Sequence, residues 1–135
     1  MSDSSERRSR TMRAVKSRNT TPEMIVRRLL HSMRYRFRLH RKELPGKPDI
    51  VFRAKRKVIF IHGCFWHGHE CRRGSRVPKT NTAYWKQKIL RNQARDECNV
   101  QKLRALDWRS LVLWECQIGK TGEKVVPSVT SFLRE

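Results

Sequence analysis

The 135-residue chain carries 32 Lys and Arg against 12 Asp and Glu, for a formal charge of +20 and a pI near 11.2. Such a length suits one domain around one core, and such a charge makes a polyanion the default partner, because each neutralised phosphate releases condensed counterions. No apolar run approaches the roughly 20 residues of a membrane span, and a polar N-terminus without the apolar segment of a secretory signal points to a cytoplasmic protein.

Residues 1–19 are rich in Ser and Arg with few apolar positions and read as a flexible basic arm ahead of a body spanning 20–135. Within the arm, Met12 and Val15 lie in a short basic patch that suits a DNA groove, against the plainer reading of a solvated tail. The body opens with Thr20-Thr21-Pro22-Glu23, a capping box with an early proline, followed by the apolar stripe Ile25, Val26, Leu29, Leu30 and Met33 of a helix. Extended stretches are expected at Tyr35 to His40, Asp49 to Phe52 and Lys57 to His62, the last β-branched and apolar. A long helix from about Thr82 to Leu106, a buried strand from Ser110 to Cys116 and a short amphipathic helix from Val125 to Leu133 follow. That order predicts a mixed α/β sandwich around a small sheet.

If Asp49 to Phe52 and Lys57 to His62 pair as a hairpin through the basic turn Ala54 to Arg56, Asp49 and His62 lie nearly opposite at its open end. A carboxylate and an imidazole there suit a hard divalent cation and its waters, as phosphodiester cleavage requires. Otherwise Pro48-Asp49 is simply a turn into a strand. On the long helix, Asp96 shares a face with Ile89, Val100 and Leu103, and a carboxylate on a buried stripe must find a partner. His67 or His62 would serve and would become an oriented general base; an arginine such as Arg91 or Arg95 is the alternative.

The four cysteines belong, in a reducing compartment, to metal or free thiols rather than disulfides. Cys64, His69 and Cys71 have a C-x4-H-x-C spacing that can wrap a tetrahedral Zn²⁺, with Cys116 completing the shell and Cys98 as its competitor. Such a closed site is structural, with binding worth on the order of 10 kcal/mol where zinc is coupled to folding. Phe65 and Trp66 sit between a zinc ligand and a histidine with little core to receive them, so the loop can hold them out as a wedge into a base stack, with Trp85 as a third ring. Burial in an ordinary core is the other reading of these rings.

The stretches PGKPDIVF (45–52), FIHGCFWHGHEC (60–71), YWKQKI (84–89), Arg95-Asp96 and WEC (114–116) together closely resemble the very short patch repair (Vsr) endonucleases, bacterial enzymes that nick DNA at T:G mismatches left when 5-methylcytosine deaminates. The resemblance runs from about Thr11 to Cys116. It implies the restriction-endonuclease-like fold of the PD-(D/E)xK superfamily, a three-layer α/β sandwich with a small mixed sheet and a structural zinc site, in which Phe60-Ile61-His62 stands where acid-x-Lys would be.

By the same resemblance, Asp49 and the Ile61 backbone carbonyl hold Mg²⁺, and His62 and His67 are catalytic with Asp96 as their helical acid partner. Glu23 contacts water on the metal. The zinc ligands are Cys64, His69, Cys71 and Cys116, leaving Cys98 outside. Phe65, Trp66 and Trp85 intercalate while Met12 approaches from the minor groove. The implied protein is a monomer acting on mismatched double-stranded DNA beside mismatch-repair proteins, in the bacterial cytoplasm with the nucleoid. Ile61 replaces a threonine of the best-known members, and Gly68 and Glu70 replace histidines of a His run. A related nuclease with relaxed mismatch preference and a non-catalytic, zinc-stabilised DNA-binding module are the alternatives.

Overall fold

The computed structural model describes residues 20–65, 67–71 and 79–135; the arm with Met12, and Trp66, lie outside the described residues. Helix α1 spans Thr21–Ser32. Thr20 caps it in an extended conformation, its Oγ1 accepting from Glu23 N at 3.4 Å, and Pro22 occupies the first turn, where a missing N–H costs nothing. Only half of the expected capping box forms, because the Glu23 carboxylate turns toward His40 and Arg27 instead of back to Thr20.

Four strands, β1 (Arg38–Leu39), β2 (Ile50–Phe52), β3 (Lys57–His62) and β4 (Arg109–Trp114), form one sheet in that order. β1–β2 and β2–β3 are antiparallel, whereas β3 and β4 are parallel. A parallel pair needs a crossover, and the 24-residue helix α2 (Thr82–Ala105) lies within it. After β4 come the short helix α3 (Glu115–Ile118), a 3₁₀ turn at Glu123–Val125 and helix α4 (Val126–Arg134).

Two expectations require correction. The extended stretch from Tyr35 to His40 pairs over only two residues. Arg34 (φ 65°) and His40 (φ 48°) leave the extended region at either side, while Tyr35 and Phe37 pack their ring edges on Phe52 without joining the ladder. The last strand stops at Trp114, so Cys116 lies in α3 rather than at a strand end. Gln117 Oε1 accepts from Trp114 N at 3.3 Å and turns the chain into that helix.

Side chains alternate across the sheet, and the two faces are covered by different helices. Ile50, Phe52, Ile59 and Leu113 pack with Val26 and Leu30 of α1, Ile118 of α3 and Val129, Phe132 and Leu133 of α4. Val51, Val58 and Phe60 pack with Leu103 of α2 on the other face. Full burial of each aliphatic chain contributes roughly 1.5–3 kcal/mol. Buried Lys57 ties α4 to the sheet by donating to the carbonyls of Phe132 (2.6 Å) and Glu135 (2.9 Å). On the α2 side the apolar layer gives way at one end, where strand alternation continues Val58 and Phe60 with His62, Val51 with Asp49, and Val112 with Trp114. That end carries the candidate site.

Candidate active site

Asp49 precedes β2 and ends its ladder with β3. Its Oδ2 accepts from Ile61 N at 2.7 Å. In an antiparallel ladder a residue's N–H and C=O face the same neighbour, so the Ile61 carbonyl is turned to the same edge as the Asp49 carboxylate. Burial pushes the Asp49 carboxyl up to about 6, opposed by the Ile61 hydrogen bond, with the Glu23 charge raising it further and His40 and His67 lowering it. Glu23, 2 % exposed on α1, offers a carboxylate oxygen that lies with His40 and Asp49 in one cluster, ligand atoms all within 4.8 Å of one another. Two crowded carboxylates form a pocket of negative potential that fits a hard divalent cation.

Beside it lies a second cluster, His62, His67 and Asp96. Asp96 reaches from α2 to His67, with Oδ2 and Nδ1 2.5 Å apart. Of the partners open to Asp96 in the sequence, His67 is the one it bonds. The ionised carboxylate only accepts, so Nδ1 carries the proton and His67 Nε2 is left as a base. The His62 ring stacks on His67 with centroids 3.7 Å apart and planes at 3°. Burial, reinforced by the proximity of His67 and opposed by Asp96, lowers the His62 pKa to about 4. His62 is therefore neutral near pH 7, and its buried Nδ1 has no hydrogen-bond partner among the described residues. An unpaired buried nitrogen costs about 1–3 kcal/mol.

The loop after β3 holds the sulfur ligands. His69 N–H donates to Cys64 O at 3.0 Å and His67 N–H to Gly63 O at 3.2 Å, a tight turn carrying His67 inward and His69 to the sulfurs. Gly68 has φ +64°, and a Cβ there would sit 2.4 Å from Gln93 Nε2 and 2.6 Å from Ile89 Cγ2. A histidine at this position would displace the Gln93 and Ile89 side chains of α2 or shift the loop. Cys64, His69, Cys71 and Cys116 bring ligand atoms within 4.8 Å of one another, and His69 Nδ1 is 3.4 Å from Cys116 Sγ. Burial, against a backbone hydrogen bond and with neighbouring thiols adding, drives the Cys64 thiol up to about 12. A thiol so disinclined to ionise becomes a thiolate only on a metal, and three sulfurs with one imidazole suit tetrahedral Zn²⁺. Cys98 is exposed on α2 and stands apart from the cluster.

Glu23, Asp49, Ile61, His62, Phe65, His67 and Asp96 all line one cleft of about 1580 Å³. Phe65 lines this cleft, and Trp85, outside its lining, packs on Phe65 with ring centroids 5.6 Å apart; both rings are half-buried. Tyr84, 56 % exposed, packs edge-on against Trp85 at 5.2 Å, and Lys88 Nζ sits over both rings. Sequence reasoning gave no place to Tyr84, which packs on Trp85. It missed His40, which no periodic pattern links to Glu23. It also gave no role to Trp114, whose ring stacks on His69 (4.1 Å) and meets His62 edge-on (5.1 Å), joining the sulfur cluster to the histidine pair.

Residues 3–73 match the family described as DNA mismatch endonuclease Vsr. The chain is similar to the type II nicking enzyme V.XorIIP of Xanthomonas oryzae pv. oryzae, 55% identical over 119 residues covering 88% of this chain and 87% of the relative. It is 40% identical over 128 residues to the DNA mismatch endonuclease Vsr of Escherichia coli, covering 95% of this chain and 81% of that one. The type II nicking enzyme V.NmeAIP of Neisseria meningitidis is 42% identical over 112 residues, with 83% and 79% covered.

Proposed function

The chain belongs to the Vsr family of DNA mismatch endonucleases, and on that premise we propose that it nicks one strand of duplex DNA at T:G mismatches left by deamination of 5-methylcytosine, using Mg²⁺. One observation carries the reading. The His67–Asp96 pair, the Asp49–Glu23 carboxylates and Phe65 line a single cleft, with the Trp85 ring packed on Phe65, in a chain of net charge +20. The antiparallel β2–β3 hairpin with β4 parallel to β3 supports a restriction-endonuclease-like core for it.

Asp96 holds His67 by Nδ1, and Nε2 takes the proton from the attacking water. His62, neutral and stacked on His67, offers its second nitrogen to water or the phosphate. Asp49 and the Ile61 carbonyl would hold Mg²⁺, with Glu23 beside them; when bound, the ion supplies charge neutralisation at the scissile phosphate and its leaving oxygen. With the backbone carbonyl as the donor at residue 61, isoleucine serves there; a need for the threonine hydroxyl would weaken the chemistry. Cys64, His69, Cys71 and Cys116 would hold Zn²⁺ in a closed, structural shell. Phe65, Trp85 and the adjoining Trp66 enter the stack at the wobble pair, where unstacking costs less than the few kcal/mol of a matched step, and Met12 of the arm meets them from the minor groove. Lys and Arg contact the backbone, as expected of a monomer acting on nucleoid DNA beside mismatch-repair proteins.

A nicking assay over T:G, other mismatches and matched duplexes tests this. The T:G duplex should be cut in one strand with Mg²⁺ while matched DNA stays intact. Comparable rates on all substrates would overturn the specificity and leave a relaxed nuclease. Binding of mismatched DNA without a nick under any divalent ion would favour a non-catalytic module, which the endonuclease and nicking-enzyme names of the relatives argue against.

A further inference from the structure

Glu23 presents an unusual problem. Its side chain is 3 % exposed, yet it faces the cleft with one carboxylate to be held in place. A buried carboxylate without donors is costly and swings to whatever hydrogen bond it can find. Arg27 approaches only one oxygen, at 3.4 Å. His40 approaches both, with Nε2 3.0 Å from Oε1 and 3.1 Å from Oε2. Because an ionised carboxylate only accepts, Nε2–H is the donor, and its central placement fixes the rotation of the group as well as its position.

His40 also touches the other carboxylate-bearing segment. Its main-chain N–H donates to Asp49 O at 3.2 Å, and its backbone sits in the left-handed region, φ 48°. A non-glycine residue keeps that conformation where its surroundings hold it, and here the two bonds do so. The cleft is lined by Glu23 and Asp49 but not by His40, so the imidazole stands behind the carboxylates rather than among the groups that meet substrate.

We propose that His40 is a positioning residue for the divalent-cation site, clamping the Glu23 carboxylate of α1 at a fixed distance from Asp49 of the β2 edge. The inference rests on the metal-dependent nicking reading. It assigns His40 no contact with the ion or the phosphate. Imidazole–carboxylate supports of this kind typically alter metal affinity or activity by roughly 10- to 100-fold when removed.

The test uses the full chain with His40→Ala, His40→Gln, Glu23→Ala and the Glu23→Ala/His40→Ala double variant, read by thermal melting, by Mn²⁺ binding from electron paramagnetic resonance and by nicking kinetics. His40→Ala should weaken Mn²⁺ binding and lower kcat by roughly 10- to 100-fold with KM for DNA unchanged. His40→Gln, whose amide N–H reaches the same carboxylate, should recover most of both. The double variant should be no worse than Glu23→Ala alone. Wild-type Mn²⁺ affinity and kcat in His40→Ala, or additive losses in the double variant, would overturn the proposal. So would a nitrogen coupling to Mn²⁺ that disappears in His40→Ala, since His40 would then be a ligand. Should His40→Ala fail to fold, the Gln variant decides, wild-type-like values supporting the clamp and Ala-scale losses in a folded Gln variant refuting it. If the wild type binds Mn²⁺ but never nicks, the nicking reading fails, and the Mn²⁺ affinities still decide the role of His40.

Discussion

Two of the metal-type clusters among the described residues are built on opposite principles. Cys64, His69, Cys71 and Cys116 gather soft ligands from a tight loop and a short helix into a four-donor shell. Asp49 and Glu23 bring hard oxygens from a strand edge and a helix, with a broad cleft in front. A shell that fills the coordination sphere of its ion gives stability, whereas one that leaves positions open gives chemistry. Trp114 lies between the sulfur cluster and the histidine pair, touching both, so the closed site can set the geometry beside the open one.

Removing the closed site should have the largest effect. Protein as purified should contain one zinc per chain by elemental analysis. Stripping it, or making Cys64→Ala, should remove most of the folding stability, on the order of 10 kcal/mol for a structural zinc coupled to folding, visible as loss of the cooperative melt. A zinc-free chain with an unchanged melt would erase the contrast between the clusters.

On the open side, Asp96→Asn should leave the fold intact and lower kcat by roughly 10²- to 10⁴-fold, the range of oriented general-base catalysis, in single-turnover nicking. Next comes a pH effect on stability. The folded Asp49 carboxyl keeps its proton up to about pH 6, while its ordinary value is 3.8. Its contribution to stability is therefore present below pH 3.8 and lost as the pH rises through about 6. Without divalent ions, Asp49→Asn should melt like the wild type in acid and above it at pH 8, by at most about 3 kcal/mol for a shift of this size at about 1.4 kcal/mol per unit. The gap should close on adding Mg²⁺. The smallest effect belongs to the Phe65–Trp85 pair, where Phe65→Ala or Trp85→Ala should weaken binding to mismatched duplex by about 1–3 kcal/mol, the scale of one base–aromatic stack, with zinc content unchanged.

The same contrast explains what the sequence could tell. Cys64, His69 and Cys71 fall within eight consecutive residues, so their ligand spacing is local and legible, and β3 and the long helix announce themselves by composition and period. Cys116 is less so, since the turn that makes α3 depends on Gln117 reaching back to Trp114. The open site is assembled from distant segments. The Glu23–His40 bond spans 17 residues, and Asp96 meets His67 across 29. An acid on an apolar stripe flagged Asp96 as needing a partner but could not choose between two histidines. Glu23 was legible as a helix cap, and that local reading concealed its bond to His40. The shortening of β1 reflects backbone turns at Arg34 and His40, positions where no glycine signals a left-handed residue.

Zinc content and single-turnover nicking measured on the same preparation of Asp49→Ala address the division of labour most directly. One zinc per chain, a cooperative melt and no nick in a T:G duplex at saturating Mg²⁺ are expected from that division. An Asp49→Ala protein that still nicks that duplex at the wild-type rate, or one that has lost its zinc, would contradict it.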